Sequence, residues 1–225
     1  MKTSNKLSKF LKTLFLSALI TGVLTTLNTN SVQAQEVSTG ADIVSTYVWR
    51  GVAYSGPSIQ PFVDLTVEGF SIGGWGSQGY DGFQEMDLYA GYSFDFGLYL
   101  GVTDYWYPSP LTPFFEEASH AFELNLGYEI DSFSLSGNYI FAGGGSTGDD
   151  LYFEAGYSID DATSLFAGAG NGWHTNGTDD FGLVNVGVTT SKDILVTDTF
   201  TIPLSGSAIF NPYAEQLYLL VGVSF

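Results

Sequence analysis

From Ala41 to Phe225 the chain alternates apolar and polar side chains almost residue by residue, and this period of two limits its possible folds more than any other feature. In residues 85–94, Met86, Leu88, Ala90, Tyr92 and Phe94 form one row, and Glu85, Asp87, Tyr89, Gly91 and Ser93 form the other. A β-strand sends such rows to opposite faces of its sheet. The split recurs in residues 121–130, where Phe122, Leu124, Leu126, Tyr128 and Ile130 oppose Glu123, Asn125, Gly127 and Glu129. It recurs again in 150–159, and the final segment places Leu217, Leu219, Val221, Val223 and Phe225 on one face. No helical period of useful length competes, so the chain is all-β.

The segments also resemble one another. Asp87-Leu-Tyr-Ala-Gly-Tyr-Ser-Phe-Asp95 parallels Glu123-Leu-Asn-Leu-Gly-Tyr-Glu-Ile-Asp131 and Tyr152-Phe-Glu-Ala-Gly-Tyr-Ser-Ile-Asp160. A repeat of about 30 residues holding two strands is a hairpin unit, which suits a meander closing on itself. Breakers divide the chain into twelve strand cores: 41–52, 59–67, 70–77, 84–94, 98–107, 119–130, 133–142, 150–159, 163–170, 181–191, 199–209 and 216–225. Connections after the second, fourth, sixth and eighth strands are tight, as at Glu68-Gly69 and Asp131-Ser132. Those after the third, fifth, seventh and ninth, at 78–83, 108–118, 143–149 and 171–180, are longer and polar. Sorting of loops by parity marks a transmembrane antiparallel up-and-down β-barrel, with short periplasmic turns and long outer loops. Two connections depart from the rule: 54–57 is short and 192–198 is long.

Charge divides the chain in two. Lys2, Lys6, Lys9 and Lys12 open it, residues 13–27 carry no charge, and Val32-Gln33-Ala34 offers a small-residue cleavage site. Residues 1–34 therefore read as a cleaved signal peptide and 35–225 as the barrel. Beyond the leader, 24 acids face only Arg50 and Lys192, which excludes nucleic acid as a partner because phosphates need cations. At 44% hydrophobic and 16% aromatic the chain is too apolar for disorder. Its 13% of charged residues is low for a soluble domain, as expected when one face of every strand meets lipid. The absence of cysteine excludes disulfides, thiol chemistry and thiolate-bound metal.

Ser45-Thr-Tyr-Val-Trp-Arg-Gly-Val52, Gly73-Gly-Trp-Gly76, Asp104-Tyr-Trp-Tyr-Pro108 and the closing strand 217–225 carry a family likeness: the mature chain resembles the TorF-type porins. The resemblance implies a Gram-negative outer-membrane barrel of the porin kind, with neither catalytic residues nor a cofactor. The expected partners are outer-membrane lipid, small solutes and the barrel-assembly machinery, which reads a last strand ending at Phe225.

If the apolar rows face lipid, Asp64, Glu85, Asp87, Glu123 and Glu154 point into the lumen, with Asn125, Asn138 and Asn185 alongside. Arg50 shares its row with Asp42 on the first strand, and a charge facing lipid near the midplane costs ~2–4 kcal/mol, so Arg50 is expected inside a carboxylate cluster. Tyr47 and Trp49 fall on the opposite row, suited to lipid or to an interfacial girdle. The surplus of inward acids predicts a small passive channel for cationic or neutral polar solutes. Two alternatives stand beside it: a plugged barrel that is structural or binds a ligand, and a lipid hydrolase. The hydrolase reading rests on His174, expected as a solvated loop residue, and on His120 at the rim, with no nucleophile in evidence. The acid pairs Glu116-Glu117, Asp149-Asp150 and Asp179-Asp180 lie in outer loops, where they serve solubility or divalent-cation binding.

Overall fold

A computed structural model describes residues 35–225 apart from 145, 147 and 199; the expected signal peptide, 1–34, lies outside the described residues. The described chain forms fourteen strands: β1 (Gln35–Val44), β2 (Tyr47–Trp49), β3 (Val52–Ser55), β4 (Ser58–Val67), β5 (Phe70–Gly79), β6 (Gln84–Ser93), β7 (Leu98–Trp106), β8 (His120–Ile130), β9 (Phe133–Gly143), β10 (Asp150–Ser158), β11 (Thr163–Gly172), β12 (Thr178–Thr197), β13 (Phe200–Asn211) and β14 (Gln216–Ser224). Twelve of them close into an antiparallel barrel, in which β1 lies beside β14 and the order then runs back through β13 to β4. β2 and β3 pair only with each other.

Closure gives each wall strand a neighbour on both sides, which satisfies the backbone without water, except that beyond Thr190 the end of β12 pairs with β13 alone. The outward rows are the apolar ones found by alternation. Leu126, Leu135, Phe153, Leu217 and Leu219 all lie exposed on the wall, Leu219 at 74%. Opposite them, the rows of β6, β8 and β10 that carry Glu85, Glu123 and Glu154 turn inward. The loops sort by end as expected, with the tight turns at one mouth and the long connections at the other.

The first strand differs from the sequence reading. The segment 41–52 is not one wall strand: β1 pairs with β14 through Asp42↔Ser224, Ile43↔Val223 and Val44↔Gly222, and the chain then leaves the wall. Residues 47–55 still form strands, but as a private hairpin with Val48 opposite Ala53 and Trp49 opposite Val52. The short 54–57 connection is the return of this hairpin to β4. The long 192–198 segment also resolves, because β12 runs for 20 residues. Its far end pairs with β13 from Lys192↔Leu204 to Thr197↔Phe200, beyond the last partner on β11, Thr163↔Thr190.

The outward row of β8 predicts its own test. Leu126→Arg places a charge at mid-strand on the exterior, and the folded barrel should lose ~2–4 kcal/mol in urea titrations from phospholipid vesicles. Unchanged stability would remove lipid from that face.

Candidate functional site

The β2–β3 hairpin folds into the lumen and fills the end that carries the long loops. Its two-residue tip, Arg50-Gly51, has φ of 49° and 81°, the pair of left-handed conformations that lets a tight hairpin follow the twist of its strands. Gly51 is required by contact as well as by conformation, since a Cβ there would stand 1.9 Å from the Val184 carbonyl oxygen. Asn211 on β13 donates its side-chain N–H to the Gly51 carbonyl at 2.9 Å. The tip thus crosses from its root between β1 and β4 to the far wall.

On that wall Arg50 meets Glu123 of β8 in a two-pronged ion pair, Nη1 to Oε1 at 2.6 Å and Nη2 to Oε2 at 3.0 Å. The fork of the guanidinium matches the two carboxylate oxygens, which makes this the strongest kind of side-chain hydrogen bonding. Glu123 is only 1% exposed and also accepts from the Tyr105 hydroxyl at 2.8 Å and the Asn125 amide at 2.6 Å. Asn125 in turn donates to Asn138 at 3.0 Å and accepts from Thr103 at 2.8 Å. The guanidinium lies between two rings, 4.3 Å from the centre of Trp49 and 4.7 Å from that of Tyr152. Every face of the cation is therefore occupied.

Two β-bulges shape this seat. The β8–β9 register shifts between Phe122 and Glu123, and the β11–β12 register shifts between Gly168 and Ala169, where Val184 is the extra residue on β12. An extra residue re-aims side chains locally, and here Val184 and Asn185 are both buried against the tip. Alternation cannot report either bulge.

The expected site residues separate into groups. Arg50 and Glu123 come together as the clamp. Glu154 accepts from Asn185 at 2.7 Å and from the Tyr152 hydroxyl, so it holds the ring on which Arg50 rests. Asp64 stands apart and accepts from Tyr89 at 2.7 Å. Asp42 faces the lumen beside Ser224 at the turn end, away from Arg50, so the expected shared row is corrected: Arg50 is not on the first wall strand. Glu85 and Asp87 lie next to the hairpin, buried at 5% and 7% exposure.

Tyr47 and Trp49 are also corrected, because neither meets lipid. Tyr47 packs on Tyr54, Trp75 and Phe83, and Trp49 on Tyr54, Tyr105, Trp173 and His174. His174 likewise is no solvated loop residue: it is 2% exposed, with Trp49 at 5.1 Å and Tyr152 at 4.9 Å between ring centres. Below the hairpin the lumen opens toward the tight turns. A cavity of about 460 Å³ there is lined by Tyr99, Glu129, Ser134, Ser136 and Glu154 among others.

Four buried side-chain atoms lack a hydrogen-bond partner among the described residues: Glu85 Oε2, Asp87 Oδ1, His174 Nδ1 and Asn185 Oδ1. All four residues border the hairpin, and an unmet buried polar atom costs ~1–3 kcal/mol. The seat joins one strong clamp to several unmet groups. His120 is instead fully engaged on the other side of the wall, with Nδ1 2.8 Å from Asp104 and Nε2 2.5 Å from the Phe114 carbonyl, and it ties down the 107–119 loop. The Thr175 hydroxyl beside His174 donates to the Thr178 carbonyl at 3.0 Å. Of the loop acids, Asp149 accepts from Tyr139 at 2.6 Å and Asp150 from Ser146 at 2.7 Å.

Two predictions follow from this geometry. Arg50→Ala leaves Glu123 buried and unpaired and should destabilise the barrel by ~3–5 kcal/mol in denaturant titrations, whereas Arg50→Leu with Glu123→Leu should recover much of that loss. Burial and the neighbouring Arg50 push the His174 pKa down to about 3. The unfolded chain therefore binds this proton more readily, so the stability tied to His174 is present above about pH 6.5 and drains away as pH falls toward 3. His174→Phe should flatten the pH dependence of unfolding in that window; an unchanged slope would contradict the burial.

Comparison with known proteins adds family and context. No curated protein matches the chain. Among solved structures, a mutant porin of Rh. blastica aligns at 14% identity and a TM-score of 0.40, over 85% of this chain and 99% of its own. An outer membrane channel from Pseudomonas putida F1 aligns at 13% identity and a TM-score of 0.40, over 88% and 97% respectively. A protein from a study of asymmetric conductivity in engineered proteins aligns at 16% identity and a TM-score of 0.43, over 79% of this chain, which spans 63% of that protein's length. A family model matches residues 28–193, from before β1 to within β12, and does not confirm the TorF-type resemblance. By that match the chain belongs to the Gcw_chp family, described as bacterial protein of unknown function.

Proposed function

We propose that the protein is a Gram-negative outer-membrane barrel serving as a narrow, normally closed passage for small polar solutes, with cations favoured over anions. The observation that carries this reading is the Arg50–Glu123 clamp, which closes the loop-end mouth above a lumen that opens toward the tight turns. A plug of this kind is informative because it is local. It hangs from the wall on two short connections, and its seat leaves four polar atoms unmet, so the seated and released states differ by less than the clamp alone provides.

The charge pattern supports cation preference. Once Arg50 has neutralised Glu123, Glu85, Asp87, Asp64 and Glu154 remain along the inner wall with no basic side chain near them. Lys192, the other basic residue beyond the leader, sits on the projecting end of β12. Rings of carboxylates attract cations and repel anions. The apolar exterior supports the membrane location, since 74% exposure at Leu219 and 65% at Leu217 is costly in water.

The same packing motivates a second reading, a permanently plugged barrel with a structural or ligand-binding role. Planar-bilayer conductance separates the two. Wild-type protein should give small, infrequent openings, and removal of residues 46–56 or Arg50→Ala should raise conductance several-fold. In a KCl gradient the reversal potential should indicate cation preference. An anion-preferring potential would overturn the selectivity, and silence of both wild type and the hairpin deletion would overturn the channel.

A further inference from the structure

Glu85 and Asp87 present an electrostatic problem that the clamp does not solve. They sit two residues apart on the inward row of β6, almost fully buried, and each keeps one carboxylate oxygen without a partner among the described residues. The single arginine is committed to Glu123, and Lys192 lies at the opposite end of the barrel. A buried carboxylate pair without a cation is expensive, and the cost is relieved either by protonation or by a counter-charge.

The surroundings indicate what kind. Three rings carried by the wall strands and their ends, Trp75, Phe83 and Tyr107, and two from the hairpin, Tyr47 and Tyr54, pack on one another beside the pair. Ring centres are 5.4 Å apart for Tyr47–Trp75, 5.7 Å for Tyr54–Phe83 and 5.9 Å for Phe83–Tyr107. The Tyr47 and Tyr107 hydroxyls stand beside Glu85. A hard cation such as Ca²⁺ wants 6–8 oxygen ligands. Among the described residues no group of three or more His, Cys, Asp or Glu side chains is arranged to hold a metal. Aromatic faces, by contrast, attract soft organic cations, and most strongly where water is excluded. Rings alone would be an ordinary apolar plug, and acids alone a solvated pair. Buried together, they match a ligand that is both positively charged and apolar-surfaced.

We propose that Glu85 and Asp87, with Trp75, Phe83 and Tyr107, form a binding site for a small organic ammonium ion, over which Tyr47 and Tyr54 of the hairpin close. Trp75, Phe83 and Tyr107 stay with the wall when the hairpin shifts, so the site is entered from the lumen as the plug lifts. The ligand's charge is met by the two free carboxylate oxygens and its alkyl groups by the ring faces. No bond is made or broken.

The test uses the detergent-solubilised, folded barrel titrated with tetramethylammonium chloride and with methylammonium chloride, followed by calorimetry and tryptophan fluorescence. At least one probe should bind saturably with one site per chain. Glu85→Gln with Asp87→Asn should weaken binding by about tenfold or more, and Phe83→Leu should weaken it too, which a purely ionic site would not show. Asp193→Asn, on the projecting end of β12, should leave it unchanged. Each single neutralisation, Glu85→Gln or Asp87→Asn, should give an intermediate loss and covers the case in which the double variant does not fold. Folded wild type that binds neither probe, a neutralised pair that retains full affinity, or Ca²⁺ binding that ammonium cannot compete would each overturn the proposal. The inference does not rest on the channel reading: ammonium binding by a silent barrel would defeat only the channel, and conductance without ammonium binding would defeat only this site.

Discussion

A buried arginine must be paired, and the structure depends on how this chain meets that demand. The chain has one Arg, and it lies at the tip of a hairpin that has abandoned the barrel wall. Its cation is bound by both oxygens of Glu123 and covered by two rings. Removing either partner strands a charge in a medium that cannot solvate it, at ~3–5 kcal/mol. That penalty holds the hairpin across the lumen. The bulges at Glu123 and Val184, the absence of a side chain at Gly51 and the Asn211 contact are the fittings that receive it.

The clamp divides the lumen into unlike halves. Toward the long loops, Tyr105, Ile140, Tyr152, Val184 and His174 are buried and the barrel has a core of the kind a soluble protein has. Toward the tight turns, serines, glycines and carboxylates line a cavity together with aromatic and leucine side chains. An eight-stranded barrel is filled by wall side chains alone, and a sixteen-stranded one leaves a channel. Twelve strands enclose more than their inward rows can fill, and the hairpin makes up the difference at one end only. Wall and plug are therefore separable, the wall presenting an apolar exterior and the plug filling one end of the lumen.

Most of the wall was legible in the sequence, because a strand with an apolar exterior on one side and a polar lumen on the other must alternate. The rows of Glu85–Phe94 and Ala121–Ile130 report burial directly, and their inward acids are where alternation put them. The first strand misled for a physical reason. Residues 47–55 alternate because they are strands; periodicity describes how side chains leave a strand and not which strand it pairs with. Arg50-Gly51 between two short aromatic runs is a two-residue turn, and the shortness of 54–57 marks the anomaly, but both signals are local whereas the clamp joins residues 73 positions apart. His174 was misplaced for the same reason, since its burial comes from Trp49 on the hairpin and from Tyr152 on the opposite wall.

The central claim is that the hairpin rests inside the barrel. The chain has no cysteine of its own, so spin labels can be placed at will. A pulsed-resonance distance between labels at Ala53 on the hairpin and Asp131 in a tight turn at the far mouth reports its position in lipid. A single narrow distribution that broadens in Arg50→Ala is the predicted result. A broad, long distribution in the wild type would place the hairpin outside the mouth and contradict the account.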